Sequence, residues 1–211
     1  MSLLCSPEDK PRLEARNGVD QLGYIDYLIN TLRAAEVRES QILELHGIAV
    51  ADVYPCGGQY RDARSNVVIT GSAHELPPPS QVPSLVADLV TTLNEQRDTA
   101  PAVDRAAYAL WRFNWIHPFR GGNGRSARAL CYLVICMDLE LVPPGQPQFP
   151  TVIYENRAEY VRALRIADSS VREGRNPDLG PMRIVVENAI MRQLASAVDA
   201  LSKPRDPVGT A

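Results

Sequence analysis

Residues 117–128 hold the densest chemistry in the chain, in the order His-Pro-Phe-Arg-Gly-Gly-Asn-Gly-Arg-Ser-Ala-Arg. A histidine with an ordinary pKa near 6.5 suits a general base at neutral pH, and His117 is the candidate. Gly121, Gly122, Asn123 and Gly124 can turn successive backbone N–H groups inward, because glycine and asparagine tolerate the angles this needs. Such a loop at a helix N-terminus is an anion site. Arg125 and Arg128 stand three apart on that helix, within reach of the outer phosphates of a nucleotide. A glycine-rich helix junction alone is a common turn, and a histidine ending an apolar helix is more often a core residue. A histidine, three glycines, an asparagine and two spaced arginines in one run are hard to explain as packing.

Two helices must hold this loop. Residues 104–116 form an apolar run that delivers His117, with Trp111, Phe113 and Trp115 as packing anchors. Residues 127–137 are apolar almost all round, which places that helix at the centre of a bundle; Pro143-Pro144-Gly145 ends it. Phe119 is expected to pin the loop from below. Elsewhere, Asn17 is placed to cap a helix reaching about Arg33, with Val19, Leu22, Ile25, Ile29 and Leu32 inward. A second helix over 37–50 turns Ile42, Leu45 and Ala49 inward and carries His46, read as a structural histidine. The run Asn66-Val67-Val68-Ile69-Thr70-Gly71 is β-branched and ends at glycine, which predicts a strand. Pro77-Pro78-Pro79 is a rigid spacer. Ser80 opens a helix with Val82, Leu85, Val86, Leu89 and Leu93 as its core stripe. Further helices are expected over 154–167 and 181–201.

The chain has 211 residues, 45% of them hydrophobic, enough for one well-formed core. The expected division is a flexible N-terminus over 1–12, one domain over 13–202 and a disordered tail over 203–211. A net charge of −3 gives no basic surplus for nucleic acid. Cys5, Cys56, Cys131 and Cys136 form no C-x-x-C pair, so buried thiols are expected rather than disulfides or a zinc site. The longest apolar run is too short to span a bilayer, and no signal peptide is read; the expectation is a cytoplasmic protein with no membrane partner, with delivery into another cell left open.

At residues 117–128 the chain resembles the Fic (Fic/Doc) family, whose motif runs H-P-F-x-[D/E]-G-N-G-R-x-x-R. His117, Pro118, Phe119, Gly122, Asn123, Gly124, Arg125 and Arg128 match it. Gly121 departs: it stands where the family has the acidic residue that holds Mg²⁺, so no metal ligand comes from the protein at that position. Residues 42–46 and 54–61 also resemble the family, as a helix followed by a glycine turn and a short hairpin. The resemblance implies a mainly α fold, a bundle of six to eight helices with one small β-hairpin flap. It implies transfer of AMP from ATP to a Ser, Thr or Tyr hydroxyl of a target protein, weakened by Gly121.

In that reading His117 takes the hydroxyl proton and the loop amides with Asn123 hold the α-phosphate. Arg125 and Arg128 bind the outer phosphates, and Mg²⁺ is held mainly by the phosphates themselves. Val67, Val68, Ile69 and Thr70 would form the flap that docks the target as an added strand. Asn156 and Tyr160 are candidate base contacts, with packing or capping as the alternative. Ser169 to Gly174 fits S-x-x-x-E-G, the family's inhibitory pattern, which would pair Glu173 with Arg128; a solvated turn glutamate is the competing reading. Implied partners are the nucleotide, the target, and a second copy or a separate inhibitor. Two other functions stay open: a transferase with another donor, such as UTP, GTP or a choline-bearing diphosphate, and a nucleotide-binding or interaction module without catalysis.

Overall fold

The computed structural model describes residues 3–65, 67–69 and 74–202. Eight α-helices appear among them: α1 Lys10–Asp26, α2 Glu39–Val50, α3 Val82–Glu95, α4 Ala102–Ile116, α5 Asn123–Leu139, α6 Phe149–Glu155, α7 Arg157–Arg172 and α8 Gly180–Ser202. None is long and apolar enough to cross a membrane.

α5 is the axis of the bundle. Its residues 129–137 are all buried, so no face of that stretch meets water. α4 packs along it most extensively, and α1, α2 and α6 also touch it. The packing of α4 on α5 carries the site, because the 117–122 loop is their only connection. The far ends of the two helices are tied by Arg105. This buried arginine pairs with Asp138 on α5 and donates Nη2 to the Leu93 carbonyl at 2.7 Å, drawing in α3. A buried guanidinium needs such a full set of acceptors.

α1 starts earlier than the sequence suggests, because the helix begins at Lys10 with Pro11 in its first turn. Ser6 and Asp9 close a hydrogen-bonded turn just before it. Asn17 is therefore no cap. It lies in mid-helix, buried, and donates to the Ala51 carbonyl at 2.8 Å, while Gln21 donates to the Leu45 carbonyl at 2.8 Å. Two polar residues occupy the inward face, so Val19 and Leu32, expected inside, are exposed. A π-helical turn, Tyr27–Thr31, extends α1. The single helix expected over 154–167 is two, α6 and α7, broken at Asn156. α5 stops at Leu139, where Glu140 takes a left-handed conformation, before the Pro143-Pro144-Gly145 run.

The expected β-hairpin flap is not seen among the described residues, and residues 66 and 70–73 lie outside them. Among the described residues there is no strand; one isolated bridge joins Tyr60 to Phe119. Val67, Val68 and Ile69 have irregular backbone and Val68 is exposed, while Thr70 lies outside the described residues.

Candidate functional site

His117 ends α4. Its N–H still bonds the Phe113 carbonyl at 2.9 Å, but its own backbone turns left-handed, with φ 49° and ψ 60°. That conformation breaks the helix and swings the chain into the loop. It is costly for a residue with a Cβ, so the surroundings must hold it. Arg61 does. Its side chain is buried and donates Nε to the His117 carbonyl at 2.9 Å and Nη2 to the carbonyls of Pro77 and Ile116 at 2.6 and 3.3 Å. Its N–H meets the Pro118 carbonyl at 2.8 Å beside the Tyr60–Phe119 bridge. The imidazole of His117 is partly buried, and its Nδ1 has no well-formed hydrogen bond. Burial pushes its pKa down to about 4; the Asn114 carbonyl opposes this, and the charges of Arg61 and His74 add to it.

His46 on α2 latches the loop from the other side. Gly58 donates its N–H to Nδ1 at 3.0 Å, so the proton sits on Nε2, which faces the Gly121 carbonyl at 3.0 Å. The ring lies flat on Phe119, with centroids 3.6 Å apart and planes 2° from parallel. Burial holds this histidine neutral too, with a pKa of about 4. Phe119 is fully buried, as expected. Gly122 precedes α5 with φ 75°, and a Cβ there would come within 2.6 Å of Val50 Cγ1; only glycine fits both the angle and the space.

The sequence-predicted residues divide once placed. Asn123 is buried, and its side chain bridges both backbone groups of Phe119, accepting from N–H at 3.0 Å and donating to the carbonyl at 2.8 Å. The side chain staples the loop, and what Asn123 offers a phosphate is its backbone N–H. In the first turn of α5 the N–H groups of Arg125 and Ser126 already bond the Gly122 carbonyl, at 3.0 and 3.1 Å, so the amides it offers a ligand are those of Asn123 and Gly124. Arg125 faces away from the loop mouth. It pairs with Glu14 of α1 at 3.1 Å and donates to the Ala49 carbonyl. Arg128 folds back toward the loop, with Nη1 3.5 Å from where a Cβ on Gly124 would lie. Its guanidinium sits 5.3 Å from the Tyr154 ring centroid, and its Nε is buried without a partner. No carboxylate pairs with Arg128 among the described residues, and burial, with Arg125 and Arg157 nearby, weakens its hold on its proton.

Tyr160 is buried, and its hydroxyl meets the Asn114 amide at 2.7 Å; Asn156 donates to the Val152 carbonyl at the end of α6. Tyr160 is packed inside, whereas Asn156 is exposed and lines a cavity with Val152, Ile153, Arg162 and Arg192. Glu173 is exposed and bonds Arg175 and Ser169, so it does not reach Arg128. Arg175 beside it holds its carboxyl below the usual range. At Gly121 the protein has no carboxylate, and among the described residues no group of three or more His, Cys, Asp or Glu could hold a metal ion. Arg61 and Tyr154 were missed by sequence reasoning. Arg61 had a signal, since it closes the Gly57-Gly58-Gln59-Tyr60-Arg61 turn; Tyr154 had none.

Comparison with known proteins agrees with this geometry. The profile of the Fic/DOC family matches residues 36–135, which include the latch, Arg61 and the whole loop. Protein adenylyltransferase fic-1 of Caenorhabditis briggsae is 32% identical over 136 residues, 63% of this chain and 24% of that protein. A Fido domain-containing protein of Dictyostelium discoideum is 34% identical over 113 residues, 53% of this chain and 73% of that protein. Among solved structures, a Fic domain containing signaling protein from Bacteroides thetaiotaomicron superposes with a TM-score of 0.69 at 25% identity, covering 90% of this chain and 71% of the other. Fic-1 of Caenorhabditis elegans gives 0.66 at 27%, covering 90% of this chain and 52% of the other. The chain spans about a quarter of the length of the first adenylyltransferases it matches. A helix-held, left-handed histidine, a stapled glycine loop at the head of the central helix and these relatives together place the chain in the Fic/DOC family.

Proposed function

We propose that this chain transfers AMP from ATP to a hydroxyl side chain of a target protein. The observation that carries the reading is Arg128: a largely buried cation with an orphaned Nε and no carboxylate, set against the first turn of α5. A buried charge of this kind calls for an anion, and the turn's amides point to the same ligand. The naming of several relatives as protein adenylyltransferases supports the same activity.

The phosphates of ATP lie along the first turn of α5 with Arg128 on the outer ones. The target oxygen forms a bond to the α-phosphorus, the bond from that phosphorus to the β-bridging oxygen breaks, and pyrophosphate leaves. His117 takes the hydroxyl proton. Its Nδ1 is buried without a hydrogen-bond partner, and Nε2 is the nitrogen assigned to accept the proton. With its pKa near 4, the ring is neutral and ready across the physiological range. The residues at position 121 do not fit a protein-held metal, because the Gly121 carbonyl is taken by His46. Any Mg²⁺ comes with the phosphates.

The test is transfer of label from α-labelled ATP to protein, with His117→Asn as the inactive control. Asparagine accepts the left-handed backbone that alanine would strain. The expected result is a loss of roughly 10²–10⁴-fold in rate, with nucleotide affinity unchanged. Labelling at the wild-type rate would make His117 a structural residue and remove the mechanism.

A further inference from the structure

Arg61 has an unusual position for a buried cation. Its guanidinium is taken up by the carbonyls of Pro77, Ile116 and His117, and no carboxylate pairs with it among the described residues. The nearest acid in sequence, Asp62, is committed elsewhere: to Ser65 Oγ at 2.7 Å, to the Arg64 N–H at 3.1 Å and to Arg120 at 2.8 Å. Two of the three carbonyls lie at the C-terminal end of α4, where the helix dipole is negative and four carbonyls lack helical partners. Arg61 therefore caps α4 with a full positive charge at the residue that turns left-handed.

We infer that Arg61 is a positioning residue for His117: its fork onto the carbonyls of Ile116, His117 and Pro77 fixes the left-handed cap that aims the imidazole. The inference rests on His117 acting as the base. Two separable contributions follow from the geometry. The fork of three hydrogen bonds sets direction, which a point charge cannot reproduce. Burial is the main cause of the low titration, and the charge adds to it. The groups facing the ring are Arg61 and His74 from the connection between α2 and α3, and the Asn114 carbonyl from α4 itself. Of these only Arg61 carries a permanent charge. His74 is anchored on the Trp115 carbonyl at 2.8 Å.

The experiment is a titration of the three histidines by NMR, without substrate, in wild type, Arg61→Gln and Arg61→Lys. His117→Asn assigns the His117 signal. In wild type that signal should titrate far below the ordinary histidine range. Arg61→Gln should move it up by about one unit, as expected for loss of a neighbouring cation. Arg61→Lys should keep it low. Both variants should lose about a hundredfold in kcat, with the KM for ATP little changed, because orientation is lost in each. An unmoved His117 titration and a wild-type kcat in folded Arg61→Gln would make Arg61 a packing residue and overturn the inference. Should the glutamine variant fail to fold, the lysine variant decides alone. A low titration with reduced kcat supports the inference, and a wild-type kcat overturns it. The titration needs no activity. A shifted titration in a chain whose wild type labels nothing would leave Arg61 as assigned and remove the proposed reaction.

Discussion

Arg125 and Arg128 share a helix and a residue type, and their surroundings give them opposite work. Arg125 is spent inside the fold. Its ion pair to Glu14 and its bond to the Ala49 carbonyl join α1, α2 and α5 at one point. Removing it strands a carbonyl and a half-buried carboxylate. Arg125→Ala should therefore cost about 1–2 kcal/mol, a fall of a few degrees in Tm. Among the described residues Arg128 has no carboxylate to strand, only its contact with the Tyr154 ring. Arg128→Ala should leave Tm nearly unchanged and lower ATP affinity by roughly tenfold or more, the worth of a charged hydrogen bond to phosphate. Calorimetry and a thermal melt on the two variants check this split. A large affinity loss in Arg125→Ala, with a wild-type melt, would return that residue to the phosphates.

At the scale of elements, the α2 histidine is the latch on the loop, and it works only when neutral. Nδ1 must accept from Gly58 while Nε2 donates to Gly121, and a second proton leaves Gly58 facing a donor. The sign follows from linkage. The folded pKa of His46, about 4, lies below the unfolded value near 6.5. The unfolded chain takes up the proton first as pH falls. Stability is then complete above about pH 6.5 and is lost progressively down to about pH 4. The loss is on the order of 3 kcal/mol for His46, and His117 adds a similar share. Melts between pH 6.5 and 5 should show this slope, and His46→Gln should flatten about half of it. An equal slope in the variant would mean that His46 already titrates normally.

The legibility of these elements divides along physical lines. The loop, the helix before it and the buried helix after it were readable, because glycine spacing and all-round apolarity are local signals. α3 was readable from its apolar stripe. α1 was not, because its inward face uses Asn17 and Gln21, whose partners lie on another helix. The role of Arg125 was hidden for the same reason: Glu14 is close in space and remote in sequence. Val67 to Ile69, the described part of the expected strand, show no ladder partner among the described residues; β-propensity describes a fit to neighbours that sequence alone does not show.

For the whole molecule, the decisive feature is that the head of the buried helix is also the proposed phosphate loop. Hydrogen exchange turns this into a measurable statement. An amide in a helix end exposed to water exchanges by local fraying, whereas one in a helix enclosed on every side waits for the domain to open. The amides of residues 129–137 should exchange together and last, at the rate set by global unfolding. Those near Val198 and Leu201 on α8, both exposed, should exchange early. Exchange mass spectrometry across the chain checks the order. Fast exchange in the middle of α5 would mean that it opens on its own. If the order holds, the protein has no way to loosen its catalytic loop at the α5 end without unfolding. A core substitution as remote as Leu133→Ala would then lower the proposed transfer by shrinking the folded fraction, leaving the kcat of each surviving molecule untouched.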